Sequence, residues 1–227
     1  MAEGNLAVSA AKPLTARGGI RKAPLGTDLP TDAYTALDEL FKRMGYVTTD
    51  AVTQTTNRTA EDEYAWGNVV VDTHETEYGV VLAFTLMESS NAETLKAIVG
   101  DENVIVTPAN EEHGNLIEVR WKSGLPAKAA WVIDMLRVKG GTQRKVAPSA
   151  QLVYSGDVQY VDSTSIKYSV ELRCHTDEDD VPVYDYFDDG KVAGSAGTQQ
   201  VQGATFAIPS NVAEQPTDQA QDDSVPA

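Results

Sequence analysis

Only one cysteine stands in 227 residues. Cys174 therefore has no partner for an intramolecular disulfide, and the chain suits production in a reducing cytoplasm. Histidine is almost as scarce. His74, His113 and His175 show no metal-ligand spacing and no His-Glu-x-x-His, so solvated strand and loop histidines are expected. Cys174 and His175 are adjacent, and neighbours on a strand point to opposite faces, which excludes a nucleophile–base pair. Gly-x-Ser-x-Gly, Walker A and dinucleotide fingerprints are all missing, so neither an enzyme nor a cofactor is expected. No apolar run approaches the ~20 residues of a membrane-spanning helix. Glu3 replaces a basic n-region and Leu6–Ala11 is too short for an h-region, so no secretory signal is expected.

Positive charge is also in short supply. Eighteen Lys and Arg face 34 Asp and Glu, for a formal charge of −16. Residues 1–22 run against this trend, with four bases and one acid; residues 157–227 exaggerate it, with three bases and fourteen acids. Such an excess serves solubility through self-repulsion. It also suits a wall past which DNA must move without sticking, since an acidic surface does not bind phosphates.

What is present is mostly strand signal. Tyr78, Val80, Leu82, Phe84 and Leu86 alternate with Gly79, Val81, Ala83, Thr85 and Met87, so a strand over 76–87 with two largely apolar faces is expected, covered on both sides. Ile166, Tyr168, Val170, Leu172 and Cys174 alternate with polar residues, giving a strand with one wet face. Cys174 falls on its apolar side, as a small core residue. Further strands are expected at Val104–Val106, Leu116–Trp121, Trp131–Val138 and Val181–Phe187. From Val47 to Asn68 the Thr-rich chain reads as an edge strand running into a long polar loop. Two helices are expected. The first spans 31–44, with Thr31 as N-cap, Gly45 at C′, and Tyr34, Leu37, Leu40, Phe41 and Met44 on its buried face. The second is short, opened by a Ser90/Glu93 capping box and closed by Gly100.

The predicted fold is thus mainly β: an antiparallel sandwich or partly closed barrel with one or two short flanking helices. Residues 1–22 form an N-terminal arm, expected to be mobile, 23–190 the β domain, and 191–227 a low-complexity tail with a short apolar segment at Ala204–Ile208.

The order of several short motifs carries a resemblance. Ala23-Pro24-Leu25-Gly26-Thr27-Asp28-Leu29-Pro30-Thr31-Asp32-Ala33, Gly45-Tyr46-Val47, Glu61-Asp62 before Ala65-Trp66-Gly67, and Thr76-Glu77-Tyr78 follow in that sequence. Phe84-Thr85-Leu86, Leu95-Lys96 and Gly100-Asp101-Glu102-Asn103-Val104 continue it. Over residues 20–106 the chain resembles the major tail tube protein of long-tailed bacteriophages, closest to those infecting actinobacteria. It departs from that family at Ala51, where Gly usually follows Asp, and at Asn68, where a second Gly usually follows Trp-Gly.

The resemblance implies a structural virion protein, assembled in the host cytoplasm. Six subunits would join sheets edge to edge into rings, and the rings would stack into a conduit for DNA ejection. The implied partners are further copies of the chain, a tape-measure protein, tail-tip or baseplate and tail terminator proteins, and double-stranded DNA passing without binding. Arg58, Glu61, Tyr64 and Trp66 on the polar stretch, with Arg17 and Arg21 on the arm, are the candidate assembly and stacking contacts. Trp66 has a second reading, in which it folds back onto its own core. Asp177, Glu178, Asp179 and Asp180 are candidate lumen or loop acids. The alternative function is a soluble β-sandwich module that binds sugar or calcium through those acidic loops, although Pro182 stands where an EF-hand started at Asp177 needs Gly.

Overall fold

Period-two alternation builds the centre of the sheet. In β10 (Tyr168–His175), Tyr168, Val170 and Leu172 are buried while Ser169 and Arg173 are exposed. β10 lies antiparallel between β5 (Val69–Leu86) and β9 (Thr142–Tyr154), so that Leu172 faces Leu82 on one side and Leu152 on the other. In this computed structural model, residues 9–15, 19–154 and 156–191 are described.

Beyond β9 the sheet continues through β8 (Ala129–Arg137), β2 (Ile20–Pro24) and the short β3 (Lys42–Arg43). Beyond β5 it ends in β4 (Val47–Ala65). β1 (Ala11–Pro13) pairs with the end of β8, and β11 (Tyr184–Asp188) with the start of β9. A separate two-stranded sheet joins β6 (Val104–Thr107) to β7 (Leu116–Val119). Among the described residues all pairings are antiparallel and the one α-helix is α1 (Ala92–Val99), so the fold is mainly β as its sequence pattern predicts.

Each face of the sheet has its own cover. On one face Leu95 and Ile98 of α1 and Val104 of β6 pack with Trp131, Leu152, Leu82 and Leu172. On the other, Phe41, with Leu29 and Leu37, packs on Ala23, Ala130, Val132 and Val146. Burying a large aliphatic side chain stabilises by about 1.5–3 kcal/mol, so these two clusters dominate the favourable side of folding.

The structure corrects several expectations. No helix forms over 31–44: the segment runs in bends and a turn to β3. Phe41 belongs to one core cluster and Met44 to the cluster on the opposite face, an arrangement that strand parity permits and a helical i,i+3 spacing forbids. The Asp32 carboxylate accepts from the amides of Tyr34 and Thr35, which caps a turn instead of a helix. The expected face breaks up accordingly, with Tyr34 and Leu40 exposed. α1 forms where expected, but its N-cap is Asn91 rather than Ser90; the Asn91 side chain accepts from the Glu93 amide.

The arm over 1–22 contributes β1 and most of β2, and Ile20 is buried in the core. Its residues 1–8 and 16–18 lie outside the described residues, as does the tail beyond Lys191 with its segment 204–208. The second face of β5 is not covered: Val81, Ala83 and Thr85 are half-buried, and an open groove there is lined by Thr53, Ala83, Thr85, Ser169 and Glu171. β9 has no counterpart in the sequence-based expectation. It carries Pro148, a residue that argues against a central strand, and accommodates it at a register irregularity between Ala129/Ala150 and Trp131/Ala147.

Candidate assembly surface

The chain from Val47 to Asn68, expected as an edge strand running into a long polar loop, is an edge strand as far as Ala65 and forms one arm of a long hairpin. β4 and β5 are 19 and 18 residues long and pair with each other from Val47/Leu86 to Ala65/Val69. β10 supports β5 only from Val80 to Leu86. The remainder, Asn57–Ala65 with Val69–Gly79, is a two-stranded ribbon reaching roughly 35 Å at ~3.3 Å per residue. Every residue from Thr53 to Tyr78 is exposed. Thr and Val favour extended backbone, which explains the strands; the polar composition explains why neither face is buried.

The ribbon closes on Ala65-Trp66-Gly67-Asn68, with the Asn68 amide donating to the Ala65 carbonyl at 3.1 Å. Gly67 has φ +97°, which a type II turn requires of its third residue. Asn68 follows at φ +60°, a left-handed conformation that Asn tolerates better than most side chains. Trp66 projects from this turn with a relative exposure of 103%. It does not fold back onto the core, so that reading is overturned. Tyr64, Val69, Val70 and Val71 beside it are exposed as well.

Register sorts the ribbon's charges. Arg58 faces Tyr78, with its guanidinium 5.1 Å from the ring centroid, and its Nε donates to Glu75 Oε2 at 2.6 Å. Thr59/Glu77, Glu61/His74 and Glu63/Asp72 are alternate pairs, so Glu61, Glu63, Asp72 and Glu77 gather on one face. The basic group nearest these acids is His74, whose Nε2 lies 3.3 Å from Glu63 Oε2 and 3.7 Å from Asp72 Oδ2. Of the residues expected to mediate assembly, Arg58, Glu61, Tyr64 and Trp66 thus share this ribbon. Arg21 does not. It sits on β2 with its guanidinium 4.0 Å from Asp134, and burial lowers its pKa. Arg17 lies outside the described residues.

The acidic loop has an internal architecture. Asp177 accepts from the amides of Asp179 and Val181, both at 3.0 Å, and from the Tyr184 hydroxyl at 2.7 Å. These bonds hold its carboxyl below the ordinary value, with the Tyr184 contact the largest cause. The same contact raises the Tyr184 phenol to about 12. Glu178, Asp179 and Asp180 are exposed around it. Among the described residues no group of three or more His, Cys, Asp and Glu is arranged to hold a metal ion. Cys174 is half-buried on β10, and burial pushes its thiol up to about 12.

Sequence reasoning missed a buried ionic cluster beneath the 31–38 loop. Arg144 donates through Nε to Asp134 at 2.6 Å and through Nη1 to the carbonyls of Asp32 and Thr35 at 3.1 and 2.8 Å. Nothing in one-dimensional patterning pairs Asp134 with Arg144; the β8–β9 register does.

No protein-family model matches this chain, and no curated protein matches it.

Proposed function

We propose that this protein is a structural subunit that polymerises into the tail tube of a long-tailed bacteriophage. The observation that carries the reading is the ribbon. A two-stranded hairpin with both faces in water is at best marginally stable, and it becomes favourable when other surfaces cover it. The free edge of β4 supports the same reading, because unpaired strand edges are a hazard in a monomer and a pairing site in an assembly. So does backbone geometry at the two departures from the tail tube pattern: Ala51 and Asn68, each standing where that family has Gly, lie at φ +56° and +60°.

In this proposal six copies join their sheets edge to edge into a ring, and rings stack through the ribbons and terminal arms. Trp66, Tyr64, Arg58 and Glu61 contact a neighbouring copy, while the acids at 177–180 line the lumen or its loops and keep DNA from adsorbing. Tape-measure, tail-tip and terminator proteins complete the tail. The protein would be made in the host cytoplasm and act in the virion.

Electron microscopy of the purified chain, paired with sedimentation over a concentration series, tests this reading. Rings or tubes growing from monomer are the expected result. A monomer that persists at high concentration, with preformed tail tips added, would instead favour the soluble recognition module.

A further inference from the structure

The ribbon leaves the sheet at one end, beyond Val80, and a second exposed apolar surface lies at the other. Register places Tyr154 opposite Val170, and Val170 opposite Phe84, at the end of β5 remote from the ribbon. There the Trp121 ring packs against Tyr154 with centroids 5.9 Å apart, and Tyr154 meets Tyr168 at 6.0 Å. Trp121, Leu125 and Tyr160 remain more than half exposed. From there the strap that carries Trp121 and Leu125 runs back along the sheet: the side-chain amide of Gln151, level with Val81, donates to the Pro126 carbonyl at 2.7 Å, and Lys128 precedes Ala129, which is level with Val80.

The strap is also basic in a chain that is strongly acidic. Residues 116–128 contain Arg120, Lys122 and Lys128 against Glu118 alone. Glu118 pairs with Arg120 at 2.8 Å, whereas Lys122 and Lys128 make no ion pair among the described residues. The ribbon is its complement. Residues 57–79 hold Glu61, Asp62, Glu63, Asp72, Glu75 and Glu77 against Arg58 alone, beside the apolar tip of Tyr64, Trp66, Val69 and Val70.

From these two surfaces we infer that the ribbon of one copy docks on the strap of a second copy, head to tail. The inference rests on the self-assembly reading and names the surface that receives the ribbon. Because the two surfaces differ, the contact is heterologous: it leaves a free ribbon and a free strap at the two ends of every pair and propagates. Apolar groups at the tip and around Trp121 supply the desolvated centre, and Lys122 and Lys128 meet the carboxylate face of the ribbon.

Single-cysteine variants in a Cys174→Ala background test it: Trp66→Cys, Trp121→Cys, and an equimolar mixture of the two under mild oxidation. The expected result is a cross-linked dimer in the mixture, several-fold more abundant than in either variant alone. A second measurement uses charge. Lys122→Glu with Lys128→Glu should weaken association about tenfold, and adding Glu61→Lys with Glu63→Lys should recover it. A dominant link between two copies of residue 66 would overturn the proposal in favour of symmetric ribbon packing. So would assembly that proceeds unchanged in the Lys122/Lys128 variant, which leaves the tail tube reading standing. A wild-type chain that stays monomeric would overturn both.

Discussion

Arg144 Nε donates to Asp134 Oδ1 across 2.6 Å, and both side chains are almost fully buried between adjacent strands. The pair stands directly opposite in the β8–β9 register, and Arg144 extends past it to hold the carbonyls of Asp32 and Thr35. One guanidinium therefore ties the sheet to the loop that covers its second face. Arg144→Met leaves the Asp134 carboxylate buried, with Arg21 at 4.0 Å as its remaining ion-pair partner among the described residues. The expected loss is about 3–5 kcal/mol in urea unfolding. Asp134→Leu combined with Arg144→Met should cost less than Arg144→Met alone, because it leaves no orphaned charge. Strict additivity of the two single costs would show that the pair acts independently.

The Asp177–Tyr184 bond has a pH signature. Asp177 has a folded pKa below its ordinary 3.8, so its share of stability is present above that value and is lost as pH falls through the folded one. Tyr184 is raised from 10.0 to about 12, so the same bond protects the fold below pH 10 and fails as pH rises toward 12. Tyr184→Phe should therefore lower the melting temperature at pH 7, with the difference shrinking below pH 3.8. A deficit that is the same at pH 7 and pH 2 would assign the effect to packing with Tyr186, whose ring stacks 6.1 Å away.

Ala51 interrupts the β4–β5 ladder at a register irregularity between Val47 and Val52, in a left-handed conformation. That conformation costs an L-residue roughly 1–2 kcal/mol, offset by the ~0.5–1 kcal/mol entropy penalty of glycine. Ala51→Gly is expected to stabilise the protein by up to ~1 kcal/mol in chemical denaturation. Asn68→Gly, where Asn already tolerates the turn, should change stability by only a few tenths. A destabilised Ala51→Gly variant would contradict this account.

Trp66 makes no core contact, so Trp66→Ala should leave the monomer's melting temperature unchanged. Its expected effect is on assembly: more than ~2 kcal/mol of association free energy, about thirtyfold in the critical concentration. If the variant assembles like wild type, Trp66 is not an anchor.

The charge of −16 leads to an expectation for DNA. A titration of assembled protein with duplex DNA at low salt should give no low-micromolar binding, because phosphate contacts need cations. Low-micromolar affinity would place basic groups on the lumen wall and move the acidity to the outside.

Sequence alone determined the elements whose burial has a simple period. β10 and the α1 helix were legible because alternation or i,i+3 spacing coincides with what each face touches, and the body-side half of β5 was legible as a strand although its second face is open. For Trp66 the sequence left two readings open, its own core or a surface contact, and only the fold, which leaves it fully exposed on the ribbon turn, removes the first. Tertiary structure alone decided the rest. The periodicity over 31–44 fits a helix, yet Phe41 and Met44 end on opposite faces of a sheet whose edge the chain crosses there. Met44 donates its amide to Ile20 at 3.0 Å, a residue in a segment read as a mobile arm. β9 was hidden by Pro148, which only a register irregularity opposite β8 makes tolerable. The polar half of the ribbon gave no apolar alternation, because neither of its faces is buried within the chain. Local pattern reports burial, and it is silent wherever pairing or ionic contact comes from residues far away in sequence.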